Sequence, residues 1–162
     1  MDSLIDFSVN SFIKLNKGLV AFSYLNKYGY PIVEPKFIVE INEYENYICF
    51  FESKKDKADS IKNSKSVSIS IFDWSCKSFD GYQLKGTTQV FSNESAFFKD
   101  ILKKFKDGML TPDYLNDFVK EMEINKIIPE FNYIIRIDVT MKYSLAPSSE
   151  SAKPLVFIKK HE

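Results

Sequence analysis

The chain has 162 residues, 44% of them hydrophobic, which is enough for one domain of residues 1–162 with a real core. Twenty-two basic and 22 acidic residues balance, which argues against a general polyanion-binding surface and so against a nucleic-acid partner. Two cysteines, Cys49 and Cys76, and one histidine, His161, are too few for a zinc site or a Ser-His-Asp triad, so no metal and no catalytic residue is assigned.

The elements follow in chain order. "SLIDFSVNSFIKLNKG" has Ile5, Val9, Phe12 and Ile13 at helical spacing, with Asp2 or Ser3 as N-cap and Gly18 as the stop. "GLVAFSYL", "PIVEPKFIVEI" and "YICFFES" read as three strands joined by turns at "NKYGY" and "NEYEN". "KKDKADSIKNS" is a short helix with Ala58 and Ile61 on its apolar side. "SVSISIFDW" alternates strictly, with Val67, Ile69 and Ile71 inward. "FDGYQLKGTTQVF" is the fifth strand, and Phe97, Phe98, Ile101, Leu102 and Phe105 mark a helix after it. Thr111 and Pro112 start another helix, with Thr111 as N-cap. "NYIIRIDVTMKYSL" is the last long strand, and "LVFIKKHE" a short extra one. Six antiparallel strands with peripheral helices predict a mainly β fold that closes into a barrel.

No basic n-region precedes a long apolar stretch, and no apolar run approaches spanning length. The expectation is a cytoplasmic protein without a membrane partner. The cysteines sit in apolar runs and read as inert buried thiols.

Three stretches carry candidate chemistry. In "YPIVEPKF", Pro31 and Pro35 cannot donate to a ladder, which marks an edge or bulged strand. Its free backbone groups suit a ligand, and the same pattern describes a merely protected edge. In "FFESKKDKADSI", a strand ends at Ser53 and lysines 54, 55 and 57 lead into a helix. Helix amides, a hydroxyl and cations make a phosphate seat, or else an ordinary solvated helix start. In "GYQLKGTTQVF", alternation puts Tyr82, Leu84 and Gly86 on one face. Gln83 and Lys85 share the other, where they meet either one flat ligand or water.

The order of these pieces resembles the FMN-binding split-barrel family, the relatives of pyridoxamine 5′-phosphate oxidase. The resemblance spans roughly Leu4 to Phe105, with "YIIRIDVTMKYSL" as the closing strand. It implies a six-stranded antiparallel split β-barrel that dimerises and holds FMN in a groove at the interface. By that match, Val33, Glu34, Pro35 and Lys36 line the isoalloxazine, and Phe50, Phe51 and Ser53 flank the ribityl and phosphate region. Lys57 is the main phosphate lysine, with Lys54 or Lys55 assisting, and Gln83 and Lys85 lie near the polar edge of the flavin. With one arginine, Arg136, and its histidine at the tail, the chain lacks the oxidase's Arg/His set for the substrate phosphate. The implied activity is a small flavin-dependent oxidoreductase or electron carrier, with unassigned substrate and electron-transfer partner. The rivals are a split barrel that binds haem or another small ligand without catalysis, and an OB-like barrel that stacks single-stranded nucleic acid on aromatics.

Overall fold

Strand alternation is regular enough to decide which residues become core. The computed structural model describes residues 3–73, 80–107, 131–145 and 156–157. The helix expected from Thr111, Cys76 and His161 lie outside the described residues. The elements run α1 (Phe7–Leu15), β1 (Leu19–Leu25), β2 (Pro31–Phe37), β3 (Glu40–Asn42), β4 (Tyr47–Glu52), α2 (Lys55–Asn63), β5 (Val67–Phe72), β6 (Gly81–Ser92), α3 (Ala96–Lys106), β7 (Tyr133–Ser144) and β8 (Val156–Phe157).

All pairings are antiparallel, in the order β2-β1-β5-β6-β7-β4-β3, with β8 paired to β7. β2 and β3 stand at opposite ends of this order, yet only two residues separate them in the chain. The Ile38 amide donates to the Gly18 carbonyl at 2.9 Å, before β1, and the Val39 amide to the Cys49 carbonyl at 2.8 Å, on β4. The chain therefore changes partner between Ile38 and Val39, and the sheet must curl until its ends meet. This is the split barrel expected, with one correction. The second predicted strand is two, β2 and β3, so the path has seven strands rather than six.

Inside the barrel pack Phe22, Phe50, Ile69, Leu84, Ile135 and Ile137. A second cluster, with Cys49, Phe98, Ile101, Phe105 and Ile134, lies on the outer side of β4 and β7 beneath α3. α1 is capped by Asp6, which accepts from the Val9 amide at 3.1 Å, and not by Asp2 or Ser3. The cap adjoins the first buried turn, where Val9 and Ile13 meet the core.

The register of β6 on β7 shifts between Lys85 and Gly86. Lys85 faces Met141 and Gly86 faces Val139, so Thr140 is the extra residue of a bulge. The bulge turns Met141 outward and Lys142 inward. Lys142 is buried, bonds Asp6 at 2.5 Å and lies over the Tyr82 ring.

Gly86 sits against this bulge. A Cβ there would stand 2.2 Å from the Asp138 carbonyl oxygen, and one at Gly81 would stand 2.4 Å from the Ile71 carbonyl oxygen. The two glycines of β6 thus permit close strand packing, as the sequence suggests for Gly86. Gly86→Ala is expected to cost about 2–3 kcal/mol through overpacking against backbone. Gly29 has φ +82° but open space around it, so Gly29→Ala should lose only about 1 kcal/mol. Urea unfolding of the two variants checks the contrast.

Candidate functional site

β2 is an edge strand with two very different faces. Cross-strand register builds the outer one. Val33 pairs with Ser23, Ser23 with Ser68, and Ser68 with Lys85. A second row runs from Pro35 to Ala21, Ser70 and Gln83. The centre of this face carries only Ala and Ser side chains, so it is flat. Its edges carry Val33, 68% exposed, with Pro35 on one side and Gln83 and Lys85 on the other. The Ser68 hydroxyl oxygen is buried there and has no hydrogen-bond partner among the described residues. Lys85 Nζ lies 4.7 Å from the centre of the Tyr143 ring, and among the described residues no carboxylate pairs with it.

The inner face of β2 lies at the seam with β4, where α2 also packs. Lys36 Nζ stands 2.5 Å from Glu52 and 3.0 Å from Glu34, and Lys57 Nζ stands 2.5 Å from Glu34. Glu52 also accepts from the Ser53 and Lys54 amides, both at 2.9 Å, and so fixes the chain where it turns from β4 into α2. Burial alone would raise the Glu34 carboxyl, but the hydrogen bonds from Lys57 and Lys36 hold it below the usual carboxylate range. The hydrogen bond to Glu34 raises Lys57 above the usual lysine range. A cavity of about 300 Å³ adjoins this cluster, lined by Tyr24, Tyr28, Ile32, Glu34 and Lys57 among others.

The predicted residues therefore divide. Val33, Pro35, Gln83 and Lys85 share the outer face. Glu34, Lys36, Lys57 and Ser53 gather at the seam. Phe50 is wholly buried in the barrel, its ring 4.8 Å from that of Phe22. Phe51 points the opposite way and stacks on Phe131 at 4.2 Å. With Pro35, Lys36, Phe37, Val39 and Phe105, these two rings line a cavity of about 200 Å³. Lys55 is exposed and pairs with Asp59 at 2.6 Å.

Sequence reasoning missed the four small residues of the outer face. Ser68 and Ser70 were visible as outward positions of a strictly alternating strand, but only the register joins them to Val33 and Lys85. It also missed Glu52. The alternation Ile48, Phe50, Glu52 would have pointed it inward. Cys49 is buried, and burial pushes its thiol well above the usual range, as an inert cysteine requires.

No protein-family model matches the chain, and no curated protein matches it. Solved structures do. HupZ of Group A Streptococcus is 17% identical with a TM-score of 0.62, over 91% of this chain and 99% of that one. A pyridoxamine 5′-phosphate oxidase-related, FMN-binding protein of Nostoc punctiforme is 13% identical with a TM-score of 0.61, over 93% and 88%. HutZ, the haem storage protein of Vibrio cholerae, is 8% identical with a TM-score of 0.56, over 86% and 93%. At these identities the likeness is one of fold. The chain has the fold of the pyridoxamine 5′-phosphate oxidase-related split barrels. Among the described residues, no helix is long and apolar enough to cross a membrane.

Two predictions test the seam. Lys36→Met leaves the buried Glu52 carboxylate without its cation and should cost about 3 kcal/mol, part of which Lys36→Met/Glu52→Gln recovers. Glu34 has its folded pKa depressed, so the stability it contributes is present above its ordinary value of 4.5 and is lost as pH falls through the lower folded value. The stability difference between wild type and Glu34→Gln, from denaturant unfolding at several pH values, should be flat above 4.5 and shrink below it.

Proposed function

We propose that the chain is an FMN-binding flavoprotein, a small flavin-dependent oxidoreductase or electron carrier that works as a homodimer. One observation carries this reading: the flat outer face of Ala21, Ser23, Ser68 and Ser70, edged by Val33, Pro35, Gln83 and Lys85. A planar ring system needs such a face. The fold shared with the FMN-binding protein of Nostoc punctiforme supports the same reading. The exposed Val33, Phe37, Leu25 and Met141 on these strands support a dimer that covers the face.

When bound, FMN supplies the hydride or electron chemistry. The chain's own part is to bind, orient and set charge. Gln83 offers both a donor and an acceptor, and Lys85 a cation. A cation at the polar edge favours the more negative, reduced cofactor. Ser53, Lys54, Lys55 and Lys57 would receive the phosphate at the start of α2, where Lys57 is already held by Glu34. The shared fold with HutZ supports a second reading, a haem-binding barrel.

The purified protein, reconstituted with FMN, should show a bound flavin spectrum and sediment as a dimer. Binding of haem with a Soret band and no binding of FMN would replace the first reading with the second. Lys85→Met should lower the flavin midpoint potential by about 30 mV, a tenfold loss of preference for the reduced form in a two-electron couple. Spectroelectrochemical titration measures it, and an unchanged potential would move Lys85 away from the ring.

A further inference from the structure

Several groups at the start of α2 already have an internal partner. Lys57 is bound by Glu34 at 2.5 Å, Lys55 by Asp59 at 2.6 Å, and the Ser53 and Lys54 amides by Glu52. The chain's own carboxylates thus hold two of its lysines, and the cavity beside it has the Lys57–Glu34 pair in its wall.

We propose that Glu34 is an internal competitor for the anionic group of the bound ligand, holding Lys57 and weakening the barrel's affinity for phosphate-bearing ligands. The inference deepens the flavin reading and rests on it. Like charges close to one cation repel, and the Glu34 side chain is only 15% exposed, so water screens that repulsion poorly. A phosphate that approaches Lys57 Nζ must displace the Glu34 carboxylate or stay away. Displacement does not leave Glu34 without a cation, because Lys36 Nζ stands 3.0 Å from its other oxygen. The pair is therefore exchangeable, at the cost of one charge-assisted hydrogen bond. Asp56, which lines the same cavity, and Glu52, bound to Lys36, add further negative charge around the seat.

Glu34→Gln keeps the shape and removes the competing charge. Calorimetric titration of wild type, Glu34→Gln and Glu34→Gln/Lys57→Met with pyrophosphate, FMN and riboflavin tests the proposal. Glu34→Gln should bind pyrophosphate and FMN about tenfold more tightly than wild type, the low end of what a charge-assisted hydrogen bond contributes. Riboflavin, without phosphate, should change by less than about twofold. Adding Lys57→Met should abolish the gain. Equal or weaker pyrophosphate binding by Glu34→Gln overturns the proposal. Should that variant not fold, Glu34→Thr, suited to a strand, carries the same test. Failure of wild type to bind either flavin sinks the flavin reading instead, and the pyrophosphate comparison still decides the role of Glu34.

Discussion

The structure depends on one stretch of chain, residues 31–42, pairing with both ends of the same sheet. Its first part hydrogen-bonds β1 and its last part β4, and the change falls between Ile38 and Val39. A sheet held at both ends by one short segment cannot stay open. Closure puts Phe22 against Phe50 and creates the seam in which α2 lies. Along the seam, between β2 and β4, no strand ladder runs among the described residues. Lys36, bridging Glu34 and Glu52, ties the two edges together with charge.

The same alternation that builds the core gives β2 its double character. Odd residues look out over a flat field of small side chains, and even residues reach into the seam. A ligand on the outer face and an anion at the start of α2 therefore meet opposite faces of one strand. The outer face imposes flatness. The seam imposes charge, and there the carboxylates of Glu34 and Glu52 hold Lys36 and Lys57. Solved structures with this fold include an FMN-binding protein and a haem storage protein. One barrel with different occupants is what a fold that supplies a scaffold, and sites that supply the chemistry, allow.

Much of the fold was legible because alternation and helical spacing are local signals. β5 and β6 carry inward residues at the predicted positions, and α2 turns Ala58 and Ile61 inward as expected. The local reading failed where a distant partner intervened. Nothing within "PIVEPKFIVEI" says that its halves bond to different strands. Nothing within "VTMKYSL" says that Thr140 is an extra residue, since the bulge exists only relative to β6. Strict alternation would have placed Met141 inward and Lys142 outward, the reverse of what is found.

The candidate site shows the same division. The residue types, the strand-end serine with its lysines, and the pairing of Gln83 with Lys85 on one face were determined by the sequence alone, because they follow from spacing along one element. The tertiary structure decided which of them meet. Register across four strands joined Val33 to Lys85 through Ser23 and Ser68, and barrel closure brought Glu34 and Glu52 onto the lysines. Spacing fixes the face on which a side chain lies. Only the pairing of strands far apart in the chain fixes its neighbours, and charge acts between neighbours.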